Sequence, residues 1–285
     1  MGKASVKLNY YKYRALYDYE NGKQVKSTTE SIFTTARLYY GAPVSFNDPF
    51  DCNLKVHVDD STDAEWEAYV EKIIDQNPSS SAALQKVKTG KLWKTHPELI
   101  RDIGADAHKK HYIDSSVLCL TKKSNSIPMF SYYADSHKGI AIEFSFSDME
   151  VPCGFSYVPS KVGGIPYDGK VVFRDVEYQQ TFPDLNYHRI SATNPDRIVR
   201  SLIFTKSAEW AHENEFRIFR RNIPSSTVCF DRTLLTKVVF GCKTDQADVD
   251  LVKKWLKGWP SAVTLAKTDP NPRNFELDIH DIEIV

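Results

Sequence analysis

Lys206, Glu213, Glu215 and Arg217 fall in one stretch, KSAEWAHENEFRIF at 206–219. Read as a strand, it sends Glu213, Glu215 and Arg217 to one side while Phe216 and Ile218 face the core. Such a cluster is either a site or an ion-pair ladder. As a ladder, each carboxylate pairs with Arg217, Arg220 or Arg221, exposed pairs worth ~0–1 kcal/mol each. As a site, two neighbouring carboxylates repel and raise one pKa unless Arg217 offsets them, and they serve to stabilise developing positive charge or to ligate a metal. Lys206 and Trp210 lie four apart and share a face if the preceding helix runs through them.

Four further places carry candidate chemistry. Arg14 follows three tyrosines and Lys12 on a β-prone segment, as a phosphate-binding cation or a surface cation stacked on a ring. Asn47 and Asp48, between Phe46 and Pro49, either brace a turn or touch a ligand. His137 and Lys138 sit beside Gly139 at a helix-to-strand connection and offer donors to an anion. Phe130, Tyr132 and Tyr133 supply an aromatic surface. No Gly-rich phosphate loop is present. His108 and His111 lack a third ligand nearby and read as a solvated helix end, so no metal is expected.

Composition narrows the classes. The 285 residues suffice for a substantial core, and 37 basic against 37 acidic residues leave no net charge. Bulk charge therefore recruits neither nucleic acid nor an anionic membrane, which leaves room only for a local basic patch. Five single cysteines without a C-x-x-C pair point to a reducing compartment. The N-terminus lacks an apolar signal core and no run approaches a membrane span, so a cytoplasmic protein is expected.

The elements that must position these residues follow from periodicity. LNYYKYRAL and ARLYYG read as strands, with a short helix between them and the ordered loop APVSFNDPFD after them. Thr62 and Glu65 have capping-box spacing ahead of the stripe Trp66, Tyr69, Val70, Ile73 and Ile74. The chain reads as a single α+β domain over 1–285, with a curved or split mixed sheet, flanking helices and a helical insertion at about 60–112. A strand at 117–121, a short helix after Pro128 and the strand KGIAIEFS follow. In KGIAIEFS, Ile140, Ile142 and Phe144 share one face; Gly139, Ala141 and Glu143 share the other, leaving room for a ligand or for another backbone. A helix from Pro195 to about Lys206 leads into the Glu-x-Glu strand, and a last helix covers 246–256.

Four blocks arrive in a particular order: YKYR at 11–14, LYYGAPVSFNDPFD at 38–51, CLT followed by MFSYYADSHKGIAIEF at 119–144, and KSAEWAHENEFR at 206–217. In combination they resemble the prokaryotic family known as domain of unknown function 2971, with Phe130 standing where that resemblance leads one to expect tryptophan. More weakly, the order Arg strand, aromatic helix, Glu-x-Glu strand is similar to the layout of ADP-ribosyltransferases, which split NAD at the nicotinamide–ribose bond. That similarity implies NAD as substrate. Arg14 would hold the diphosphate, Tyr132 and Tyr133 would line the nicotinamide pocket, Glu215 would serve the oxocarbenium-like transition state, and Glu213 would steer the acceptor. It further implies a nucleotide-like small molecule and a protein or nucleic acid acceptor as partners, no membrane, and a bacterial defence or toxin role. If these parts make one site, Arg14, Asn47, His137 and Glu215 converge on one cleft. Two other readings stand beside it. One is a metal-dependent nuclease or phosphoesterase with Asp48, Glu143, Glu213 and Glu215 around Mg²⁺ and His137 as acid or base. The other is a nucleotide-sensing module without catalysis.

Overall fold

Alternation makes the first strand. Along β1 (Lys7–Arg14), Tyr10 enters one hydrophobic cluster while Tyr11 and Tyr13 enter another, as in a strand covered on both faces. The structure, a computed structural model, describes residues 7–20, 23–25, 28–58, 60–76, 78–80, 82, 85–86, 90, 95, 114–147, 171–193 and 196–285. The hairpin β2 (Asp18–Glu20) and β3 (Lys23–Val25), helix α1 (Glu30–Thr34) and β4 (Arg37–Tyr40) follow. Helix α2 (Asp63–Gln76) opens on a reciprocal cap: the Thr62 amide donates to Glu65 Oε2 at 2.9 Å and the Glu65 amide to Thr62 Oγ1 at 3.2 Å. Most of the expected insertion beyond α2, with His108 and His111, lies outside the described residues.

After β5 (Ser116–Thr121) come α3 (Ile127–Tyr133), β6 (Ile140–Ser147), β7 (Val171–Asp175) and β8 (Glu177–Gln179). Helices α4 (Tyr187–Thr193) and α5 (Asp196–Phe204) lead into β9 (Thr205–Ser207) and β10 (Glu215–Arg220). The chain finishes with β11 (Ser226–Cys229), β12 (Leu235–Phe240), α6 (Gln246–Leu256), β13 (Thr264–Pro270) and β14 (Leu277–Ile284). The helix expected to reach Lys206 stops at Phe204, and Lys206 lies on β9.

Among the described residues, eight strands form one mixed sheet in the order β14, β13, β12, β6, β1, β5, β10, β7. Neighbours are antiparallel except β12 and β13, which run parallel and are joined through α6, the crossover that a parallel pair requires. This is the α+β class the sequence implied. The sheet is split at one place. β1 pairs β6 from Lys7↔Ser147 to Arg14↔Ile140, but meets β5 only at Tyr11↔Thr121.

One face of the sheet carries the largest core, including Ile140, Ile142, Phe144, Phe216 and Ile218, beneath α1 and α6, where Phe33 stacks on Trp255 at 5.7 Å. The other face is covered in two patches. Helix α3 brings Met129 and Phe130 over Tyr13, Ala141 and Val239; α4 and α5 bring Ile190, Ile198 and Leu202 over Val117 and Phe219. The split between β1 and β5 lies between these patches. The space beside Gly139 is taken by backbone: a Cβ there would stand 2.3 Å from the Arg14 carbonyl oxygen. Gly139 follows three left-handed residues, Asp135, Ser136 and His137, with φ of 45°, 53° and 72°, a conformation that L-residues resist.

Candidate functional site

Where the two patches part, a cavity of about 430 Å³ opens over the β1–β5 seam. Tyr11, Lys12 and Tyr13 of β1, Cys119 and Thr121 of β5, Met129, Tyr132 and Tyr133 of α3, and Phe46 and Asn47 of the loop form its sides; Asp51, Lys206, Glu213 and Glu215 form its polar base. Lys12 exploits the seam directly. With no ladder partner there, the Cys119 carbonyl accepts from Lys12 Nζ at 2.9 Å. Burial pushes the Lys12 pKa down, and the Arg14 charge adds to that; Cys119, Glu215 and Glu213 act the other way.

Arg217 anchors the base. It is fully buried, and all five of its N–H donors find oxygen acceptors. Nε and Nη2 donate to Glu215 at 2.9 and 2.8 Å, Nη1 and Nη2 to Asp51 at 2.7 and 2.6 Å, and Nη1 also to the Ile203 carbonyl at 2.6 Å. Burial alone would raise the Glu215 pKa; the guanidinium overrides it and holds the carboxyl at about 2. Lys206 Nζ donates to Glu213 Oε2 at 2.6 Å and stands 3.4 Å from Asp51 and 3.8 Å from Glu215. Burial favours neutral lysine, but the carboxylates of Glu215, Asp51 and Glu213 reverse this and lift its pKa above the ordinary value. The Tyr133 hydroxyl donates to Glu213 Oε1 at 2.6 Å, and burial together with that bond raises the Tyr133 pKa. The base is thus a buried cluster of three carboxylates and two basic side chains held together by ion pairs, and Lys12 lines the same cavity.

Local structure explains how Glu213 comes to face Lys206. Glu213 is not on the Glu-x-Glu strand. It ends a 3₁₀ helix, Ala208–Glu213, and Asn214 then turns left-handed at φ 43° before β10 begins at Glu215. Of these three residues the strand face therefore carries only Glu215 and Arg217, and Glu213 reaches the cluster from the turn. Pairing of β8 with β9 sets Lys206 opposite Tyr178, whose hydroxyl accepts from the Glu215 amide at 2.9 Å. Trp210 is on the 3₁₀ helix rather than a shared α-helical face, yet Lys206 Nζ still lies 4.7 Å from its ring centre.

Several sequence candidates fall elsewhere. Asn47, Tyr132, Tyr133, Lys206, Glu213 and Glu215 line the cleft; Arg14 and His137 do not. The Arg14 guanidinium donates to Thr29 Oγ1 at 3.2 Å and Thr28 Oγ1 at 2.5 Å. His137 stacks on Phe130 at 5.8 Å and shares a hydrogen bond with Ser131 at 3.0 Å, while its carbonyl presses on Gly241. Phe130 is fully buried and cannot wall the cavity. Asp48 braces its own turn by accepting from the Phe50 amide at 2.9 Å. Glu143 accepts from Tyr11 at 2.6 Å and Thr236 at 2.8 Å and lines a separate cavity. The four carboxylates proposed around Mg²⁺ are therefore not gathered, and no group among the described residues has the spacing for a metal ion. Lys12 and Asp51 are the members that sequence reasoning missed. Asp51 closes the FNDPFD block, where a second acid two residues after Pro49 was a signal; Lys12 had none, because the seam is a tertiary feature.

The comparisons with known proteins come to one match. Residues 129–218 fit the family model described as "Protein of unknown function (DUF2971)". The chain thus resembles that family from α3 to β10, a stretch that contains Tyr132, Tyr133, Lys206, Glu213, Glu215 and Arg217; the YKYR and FNDPFD blocks precede it. No curated protein and no solved structure matches the chain. Among the described residues, no helix is long and apolar enough to cross a membrane.

Proposed function

We propose that the cleft is an NAD-cleaving site of the ADP-ribosyltransferase type. One observation carries this reading: Glu213 and Glu215 are held by buried cations at the base of a cavity whose wall is aromatic. A buried, firmly held carboxylate is what a developing ribosyl oxocarbenium needs. In the reaction, the C–N bond between ribose and nicotinamide breaks and nicotinamide leaves with the electron pair. An acceptor hydroxyl, amine or water then bonds to the ribose carbon and gives up its proton. Tyr132 and Tyr133 would flank the nicotinamide, and Lys12, in place of Arg14, would meet the diphosphate. Nicotinamide release from NAD by the purified chain is the test. Activity that falls ~10²-fold in Glu215→Gln supports the reading; no release by the wild type ends it.

A second reading, a nucleotide sensor without turnover, is favoured by a different fact. Both Glu215 oxygens are engaged by Arg217, and both Glu213 oxygens by Tyr133 and Lys206. Thermal stabilisation by ADP-ribose or NAD with no nicotinamide released would select it.

A further inference from the structure

The β10 face that presents Glu215 to the cleft continues through Arg217 and Phe219 to Arg221, and its far end lines a different cavity of about 690 Å³. This groove lies between the outermost strand β7 and helix α5. Among the described residues, Arg174 of β7, Arg197 and Arg200 of α5, and Arg221 beyond β10 line it, with one carboxylate, Glu177. Glu177 pairs with Arg200 at 3.1 Å, with both side chains more than half exposed, so water screens the pair. In a chain with no net charge, this cluster of guanidinium groups concentrates positive charge on the groove walls. Arg174 adds an independent sign. It lies directly opposite Arg217 in the β7–β10 pairing, yet its buried Nη1 has no hydrogen-bond partner among the described residues. A donor in that state is costly until an acceptor meets it.

We propose that this groove binds a nucleic-acid strand through its phosphates. Planar guanidinium forks match phosphate oxygens. The four arginines come from three separate places along the groove walls, an arrangement that suits repeated phosphates rather than one. A concave groove does not fit a flat bilayer. Val172, 40% exposed at its edge, offers apolar surface to sugars and bases. The inference stands apart from the chemistry in the cleft, since binding of a strand requires no NAD.

The experiment is fluorescence anisotropy of a labelled single-stranded RNA titrated with the full chain at several salt concentrations. The wild type is compared with Arg197→Gln/Arg200→Gln and, on a different element, Arg174→Gln; melting curves establish that each is folded. Salt-dependent binding is expected. Its log–log slope should fall by ~1.4 in the double variant, ~0.7 for each lost phosphate contact on a single strand, with affinity at least ~10-fold weaker. Arg174→Gln should lower the slope by ~0.7. Absence of binding at low salt, or equal affinity and slope in all three proteins, overturns the proposal. So does capture of a phosphorylated peptide by a protein that ignores the RNA.

Discussion

Asp51 and Arg217, 166 residues apart in sequence, form a two-pronged ion pair at 2.7 and 2.6 Å. The pair ties the loop that carries Phe46 and Asn47 to the strand that carries Glu215, so one rim of the cleft is fixed to its base before any ligand arrives. Preorganisation of that kind is what a charge-stabilising site requires.

Loss of this tie should be costly. Asp51→Ala removes half of the carboxylate shell of a fully buried guanidinium, and breaking such a pair from one side costs ~3–5 kcal/mol. Urea unfolding should show a loss of that size. A loss below ~1 kcal/mol would mean that water reaches Arg217.

Acid should weaken the protein through Glu215. Its carboxyl is held at about 2 in the folded chain against an ordinary 4.5, so it contributes stability above about pH 4.5 that is lost as pH falls toward 2. The melting temperature of the wild type should drop across this window, and Glu215→Gln, already destabilised, should drop less. Parallel curves would assign the acid sensitivity to other groups.

Ligand affinity should follow Lys12 rather than Arg14. Lys12 lines the cleft, whereas Arg14 is bonded to Thr28 and Thr29. In calorimetric titration with ADP-ribose, Lys12→Met should bind ~10-fold more weakly, the scale of one charge-assisted hydrogen bond, while Arg14→Met should match the wild type. The reverse order would place the diphosphate outside the cleft.

Gly139→Ala should destabilise by ~1–3 kcal/mol or more, as overpacking against backbone does, because its Cβ would stand 2.3 Å from the Arg14 carbonyl oxygen and 2.9 Å from Ala134 Cα. The denaturation midpoint reports it. An unchanged midpoint would mean that the backbone of Arg14 gives way freely.

Local patterns were readable wherever a residue's role depends on its near neighbours. The Thr62 and Glu65 cap, the shared face of Ile140, Ile142 and Phe144, and helix α6 all follow from spacing of a few residues. The cleft was half legible. Tyr132 and Tyr133 were named through the resemblance and Glu215 through the alternation of its strand as well, and all three line the cleft. Glu213 was placed on the wrong element because left-handed Asn214 interrupts an apparent strand, and little in NEF distinguishes that turn from continuation. Arg14 was preferred to Lys12 because nothing local tells which cation stands over a gap between strands. His137 was drawn to the site by its place next to Gly139, where the glycine in fact admits the Arg14 backbone.

The order of the strands bears on heredity as well as on shape. The stretch that fits the family model, 129–218, supplies β6, β7 and β10, but β1 and β5 stand between β6 and β10 in the sheet. Cut out alone, it would leave β6 without its neighbours β1 and β12, and the cavity without the β1 and β5 residues that line it. Exchanged between proteins, that stretch would need strands from earlier in the chain to rebuild this cavity.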